Sequence, residues 1–145
     1  MIKNSLDKEI EKLNITGLYH IGIYTKDIDI SLKFYEDILE FTKEWRGVVD
    51  HPTGDVESAV LRLGDCVIEL VKPVDLNRVT NIAGPVQHFA LKVNGLEELM
   101  EAIETKGVTF SFEGLETITN FRNGIRHAFI FGPSNERIEL VEEIG

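Results

Sequence analysis

The strongest constraint on this chain is that it contains the same unit twice. Ile68-Glu69-Leu70-Val71 recurs as Ile138-Glu139-Leu140-Val141, 70 residues later, and His20 and His88 stand 68 residues apart in two similar segments. Each half therefore carries a histidine and, about one module further on, a glutamate. The separation is 49 residues from His20 to Glu69 and 51 from His88 to Glu139. A repeat at fixed period is read first as a duplicated structural unit.

The hydrophobic pattern gives that unit its elements. Between Leu18 and Thr25, Ile21, Ile23 and Thr25 alternate with His20, Gly22 and Tyr24, as in a strand with one covered face. Asp27 is predicted to cap a helix whose apolar stripe is Ile28, Leu32, Tyr35 and Leu39. Strands are expected near 42–49, 57–63 and 66–72, separated by turns at Pro52-Thr-Gly54 and Gly64-Asp65. The order then restarts with alternation from Val86 to Val93. Asn94 and Glu97 read as a capping box for a helix carrying Leu96, Leu99, Met100 and Ile103, with Gly107 placed to end it. Strands are expected near 108–112, 125–131 and 136–142. The prediction is an α+β fold of two βαβββ modules, 17–75 and 84–145. A short amphipathic helix within residues 1–16 precedes them, with Ser5 as cap and Leu6, Ile10 and Leu13 inward.

Composition narrows the partners. Fifteen Lys and Arg against 25 Asp and Glu leave a formal charge of −10, which disfavours nucleic acid and anionic membranes. No apolar run approaches the ~20 residues of a membrane span, and the first residues lack the apolar core of a signal peptide. The single cysteine, Cys66, excludes an intramolecular disulfide and a thiolate metal cage. These features predict a soluble cytoplasmic protein acting on a small molecule.

In each last strand, Ile68 and Leu70, or Ile138 and Leu140, should face the helices, which turns Glu69 and Glu139 to the opposite side. His20 and His88 belong to that same open face. A lone strand histidine is ordinarily a half-buried residue, and a lone glutamate ordinarily faces solvent. Two of each at duplicated positions are a different case. If the open faces curl together, two imidazoles and two carboxylates converge in one cleft. A divalent cation is the natural compensation for carboxylates set among valines. Other candidates carry less. His51 lies in a turn, His127 has no secure strand register, and Cys66 reads as a small core residue. Trp45 and Arg46 could line a cleft or pack its rim. Arg122 and Arg126, in Asn120-Phe-Arg-Asn-Gly-Ile-Arg126, form a candidate lid able to hold a carboxylate or phosphate. No phosphate loop, dinucleotide fingerprint or nucleophile elbow is present.

Three stretches resemble a known superfamily. They are His20-Ile-Gly-Ile-Tyr-Thr-Lys-Asp-Ile-Asp-Ile-Ser-Leu-Lys-Phe-Tyr-Glu-Asp-Ile-Leu-Glu-Phe41, Gln87-His88-Phe-Ala-Leu-Lys-Val93 and Phe131-Gly-Pro-Ser-Asn-Glu-Arg-Ile-Glu139-Leu140. Over about residues 17–142 the chain is similar to the vicinal oxygen chelate superfamily. That group holds glyoxalase I, methylmalonyl-CoA epimerase, fosfomycin-resistance proteins, ring-cleaving dioxygenases and bleomycin-resistance proteins. The resemblance implies that residues 17–145 form one glyoxalase-like domain, its modules making a cupped mixed sheet around a metal. The types at His20, Glu69, His88 and Glu139 are those of the glyoxalase I ligand set, in order. Epimerases commonly carry an amide at the second position, whereas Gly132-Pro-Ser-Asn-Glu136 departs from the common Asp-Pro-Asp-Gly turn.

The resemblance implies a lyase that isomerises a methylglyoxal–thiol hemithioacetal through an enediolate. Four protein ligands and two waters would suit Ni²⁺ or Co²⁺, with Zn²⁺ also compatible. Glu139 is expected as the base, with Glu69 its near-symmetric partner, and Arg46, Arg122 and Arg126 as substrate contacts. A homodimer is expected, with the ligands meeting within one chain or across the dimer. A CoA-ester epimerase and a non-catalytic drug- or metabolite-binding protein remain as alternatives.

Overall fold

A computed structural model describes residues 17–50, 54–79 and 85–145. The expected N-terminal helix and His51 lie outside the described residues. The first module runs β1 (Ile21–Tyr24), α1 (Ile28–Lys33), β2 (Thr42–Val49), β3 (Val56–Leu63) and β4 (Cys66–Pro73). The second runs β5 (Phe89–Lys92), α2 (Leu96–Glu104), β6 (Thr109–Phe110), β7 (Glu116–Ile118), β8 (Ile125–Phe131) and β9 (Arg137–Glu143). The strands form two mixed sheets in the orders β1-β4-β3-β2 and β5-β9-β8-β6, with β7 also pairing β8. The two βαβββ modules are thus present, one to a sheet.

Register follows the repeat. β1 runs parallel to β4 with Gly22 opposite Glu69, and β5 runs parallel to β9 with Ala90 opposite Glu139. Period-two alternation then does what the pattern requires. Ile68, Leu70 and Ile138 are fully buried and Leu140 nearly so, while the intervening glutamates reach the other face. Each of these aliphatic side chains contributes about 1.5–3 kcal/mol by leaving water.

Helix α1 starts as expected, with the Asp27 carboxylate accepting from the Ile30 N–H at 3.1 Å. All four stripe residues are buried. The helix widens into a π-helical turn over Phe34–Ile38 and stops where Glu40 takes a left-handed φ of 61°. The expected capping box of α2 does not form. Gly95 is the cap, at φ 75°, and has no side chain to accept from the first amides. Its N–H and that of Leu96 are instead accepted by Glu142 of β9, at 2.6 and 3.2 Å, while Glu97 pairs with Arg126. The left-handed glycine turns these amides toward the sheet, so a carboxylate 47 residues away replaces the local cap.

The second module also differs in its outer strand. Where β2 is continuous, its counterpart is split into β6, which pairs with the end of β8 at Ile130 and Phe131, and β7, which pairs from Ile125 to His127. A turn from Ser111 to Gly114 (φ 66°) separates them, and β7 itself was not anticipated from the alternation.

One core serves both modules. Ile28, Leu32 and Tyr35 of the first share a continuous apolar cluster with Leu96, Ile103, Ile130 and Ile138 of the second. The Tyr35 hydroxyl donates to Glu136 Oε2 at 2.9 Å, tying α1 to the β8–β9 turn. Burial, reinforced by this carboxylate, keeps the Tyr35 phenol well above its ordinary pKa. The modules therefore join through their helix-covered faces, and each glutamate-bearing face is turned away from the shared core. No helix among the described residues is long and apolar enough to cross a membrane.

Candidate metal centre

Each glutamate meets the histidine of its own module. His20 enters β1 and Glu69 lies on the neighbouring strand, which brings His20 Nε2 to 3.1 Å from Glu69 Oε1. In the second module His88 Nε2 lies 3.2 Å from Glu139 Oε1. The small residues Gly22 and Ala90, beside the glutamates, leave that face open.

Within one chain the four groups are gathered two by two. Among the described residues no set of three or more His, Cys, Asp or Glu is arranged to hold one metal ion. The convergence of all four in a single-chain cleft is therefore not what the fold produces. The cause is the shared core: the apolar faces of both sheets are buried together, so the polar faces cannot also close on each other.

Each pair nevertheless fits half of a cation site. Donor atoms bound to a cation at about 2.1 Å in neighbouring octahedral positions stand about 3 Å apart, close to both observed separations. His88 also has a partner at its other ring nitrogen: Nδ1 lies 2.6 Å from Gln87 Oε1, and such a second partner is the usual way a ligand histidine is oriented.

Two further groups complete these pairs. Ser58 Oγ donates to Glu69 Oε2 at 2.7 Å, and His127 Nδ1 lies 2.6 Å from Glu139 Oε2. Sequence reasoning missed Ser58 and left His127 unplaced. The hairpins supplied the signal, since Ser58 stands 11 residues before Glu69 and His127 12 before Glu139. Glu116, on the unanticipated β7, approaches the other side of His127.

The arginines separate. Arg46 is committed to Asp29 at 2.7 Å and to Glu57 at 3.7 Å. Arg126 pairs with Glu142 at 2.6 Å and Glu97 at 2.8 Å. Neither lines the cleft of about 730 Å³ over the second pair, whose walls include His88, His127, Phe129, Glu139 and Arg122. Arg122 sits on a left-handed corner, φ 50°, with the exposed Phe121 beside it. Cys66 packs at the edge of the core, where burial raises its thiol pKa and makes it a poor nucleophile.

Comparison with known proteins agrees with this architecture. Residues 19–142 match the family described as Glyoxalase/Bleomycin resistance protein/Dioxygenase superfamily. The chain belongs to this superfamily. A relative, the uncharacterized protein YwbC of Bacillus subtilis (strain 168), is 31% identical over 126 residues, 85% of this chain and 94% of YwbC. A glyoxalase family protein from Enterococcus faecalis has the same fold, with a TM-score of 0.72 at 20% identity, covering 88% of this chain and 98% of that one. The trypanothione-dependent glyoxalase I of Leishmania major follows at 0.67 and 22%, over 88% and 87% of the two chains. The fosfomycin resistance protein FosX of Listeria monocytogenes, solved with Mn(II) and sulfate, gives 0.65 and 18%, over 90% and 94%. Superfamily membership thus places this chain among folds that include metalloenzymes.

Proposed function

We propose that the protein is a divalent-metal-dependent lyase or isomerase of the glyoxalase I kind, acting on a methylglyoxal–thiol hemithioacetal. The observation that carries this reading is the duplicated His–Glu pair, at 3.1 and 3.2 Å, in two modules of one chain. Because each open face offers one pair, the complete set is formed by a homodimer, His20 and Glu69 of one copy facing His88 and Glu139 of the other. Ni²⁺ or Co²⁺ suits two imidazoles and two carboxylates with positions left for substrate, and Zn²⁺ is compatible. Such a cation supplies Lewis acidity to a substrate carbonyl oxygen.

The chain's own residues do the rest. Glu69 and Glu139 are the groups able to take a proton from the carbon beside that carbonyl and return it to the neighbouring carbon. His20 and His88 hold them in place. Arg122, which makes no ion pair with any described residue, is positioned over the cleft to meet an anionic end of the substrate. The thiol-dependent glyoxalase I of Leishmania major supports a thiol adduct as the substrate class. A CoA-ester epimerase would need a basic channel, and Arg46 and Arg62 are already engaged by carboxylates. The single cysteine suits a reducing, cytoplasmic setting.

The test is the metal content and mass of protein purified without chelator or affinity tag, beside a Glu69→Ala, Glu139→Ala double variant. A dimer with bound Ni, Co or Zn, lost in the variant, and turnover of the hemithioacetal are expected. A protein that neither carries nor accepts a metal is instead a small-molecule binding protein.

A further inference from the structure

The two half-sites are copies with one decisive difference. Ser58 is the register partner of Val71, two residues beyond Glu69, and His127 is the partner of Val141, two beyond Glu139. The same strand position thus holds a hydroxyl in the first module and an imidazole in the second, each against the second oxygen of its glutamate. The backing differs as well. Opposite Ser58 stands Gly47, with the Trp45 ring lying 2.6 Å from where a Cβ would be. Opposite His127 stands Glu116, its Oε1 3.3 Å from His127 Nε2.

We propose that His127 is a positioning residue that locks Glu139 in one orientation, so that Glu139 is the anchored carboxylate of the site and Glu69 the one free to swing. The proposal rests on the cation-site reading above and divides the labour within it. A carboxylate only accepts, so the 2.6 Å contact requires His127 Nδ1 to carry the hydrogen. One oxygen of Glu139 is thereby occupied, and the other is held toward His88. The imidazole has little freedom of its own. It is 7% exposed, packs edge-on to Phe129 at 5.3 Å between centroids, and is approached from behind by Glu116. Its Nε2 is buried and makes no aligned hydrogen bond, with Glu116 standing 3.3 Å away, so the one well-formed hydrogen bond of the ring is that to Glu139.

Ser58 holds Glu69 less firmly. A hydroxyl turns about its own bond and can release its partner without moving a ring. The Glu69 side chain is also more exposed than that of Glu139, 25% against 13%. Outer-shell groups that orient a ligand are commonly worth ~10–100-fold in metal affinity. The duplication therefore does not produce two equivalent carboxylates, and the inequality arises from residues outside the four predicted ligands.

Titration of metal-free dimer with Ni²⁺ or Co²⁺, followed by calorimetry, tests this without reference to turnover. His127→Ala should weaken binding by ~10–100-fold, and Ser58→Ala by clearly less. His127→Asn places an amide N–H near the Nδ1 position and should restore affinity to within ~3-fold of wild type, a rescue that loss of packing alone would not give. Glu139→Gln should cost more affinity than Glu69→Gln. Should His127→Ala fail to fold, His127→Ser, which rebuilds the first half-site in the second, takes its place. Unchanged affinity in folded His127→Ala or His127→Ser overturns the proposal, as does His127→Asn binding no better than His127→Ala. If the wild-type dimer takes up neither ion, the cation reading itself fails and the division of labour falls with it.

Discussion

The two halves of this molecule agree in their core-facing residues and in their His–Glu pairs, and differ in what backs those glutamates. Ile68 and Leu70 have exact counterparts in Ile138 and Leu140, all buried against one shared cluster. On the open faces, Ser58 becomes His127, Gly47 becomes Glu116, and a continuous β2 becomes the split pair β6 and β7. Duplication preserved the packing side and the His–Glu pair, and released the positions around that pair. A close-packed interior penalises any change of volume, whereas an open face tolerates replacement as long as its polar atoms find partners.

This contrast can be broken at several points. The largest effects are expected in the core, where Leu70→Ala and Leu140→Ala should each cost about 2–5 kcal/mol in chemical denaturation. Near-equal values would support an equivalent core; a gap of several kcal/mol would mean that one module carries the fold. On the open face, Glu139→Gln and Glu69→Gln should each lower hemithioacetal turnover by at least ~100-fold. Near-normal turnover in either metal-loaded variant removes that glutamate from proton transfer.

The helix caps give a smaller contrast. Asp27→Ala removes a local cap and should cost about 1 kcal/mol. Glu142 caps α2 from a distance and makes a different kind of contribution. Its hydrogen bond to Arg126, and then that to the Gly95 amide, hold its carboxyl below the ordinary value of 4.5. A depressed carboxyl stabilises the fold above its unfolded-state pKa and loses that contribution as pH falls through the folded-state value. The melting-temperature gap between wild type and Glu142→Gln should therefore be flat from neutral pH to about 5 and narrow below it. A gap that persists unchanged at pH 3 would show that charge is not what the cap uses. The smallest effect belongs to Gly22→Ala, which copies Ala90 into the first half-site. A Cβ there meets nothing within 4 Å, so stability should move by no more than about 0.5 kcal/mol. A larger loss on thermal melting would mean that the two entry strands are not interchangeable.

Much of this was legible without coordinates, and the reason is periodicity. Alternation around Glu69 and Glu139 assigns their faces, because a strand has only two. The stripe Ile28, Leu32, Tyr35 and Leu39 is buried as its spacing requires. The failures share a cause as well. Asn94 and Glu97 form a valid local signal for a capping box, but Glu142 takes the neighbouring Gly95 and Leu96 amides and Arg126 takes the Glu97 carboxylate, both from distant strands. Strand β7 is three residues long and owes its existence to β8 beside it. His127 could not be placed until the β8–β9 turn set its register against Glu139.

The sequence by itself determined the two modules, their apolar sides and the placing of one histidine and one glutamate on the open side of each. All three follow from short-range periodicity repeated about 70 residues apart. Only the tertiary structure decided that the modules join helix side to helix side and that the two His–Glu pairs face outward. It alone set His127 rather than a hydroxyl behind Glu139. Those outcomes depend on which apolar faces are buried together, a choice made by the whole chain at once and written in no local pattern.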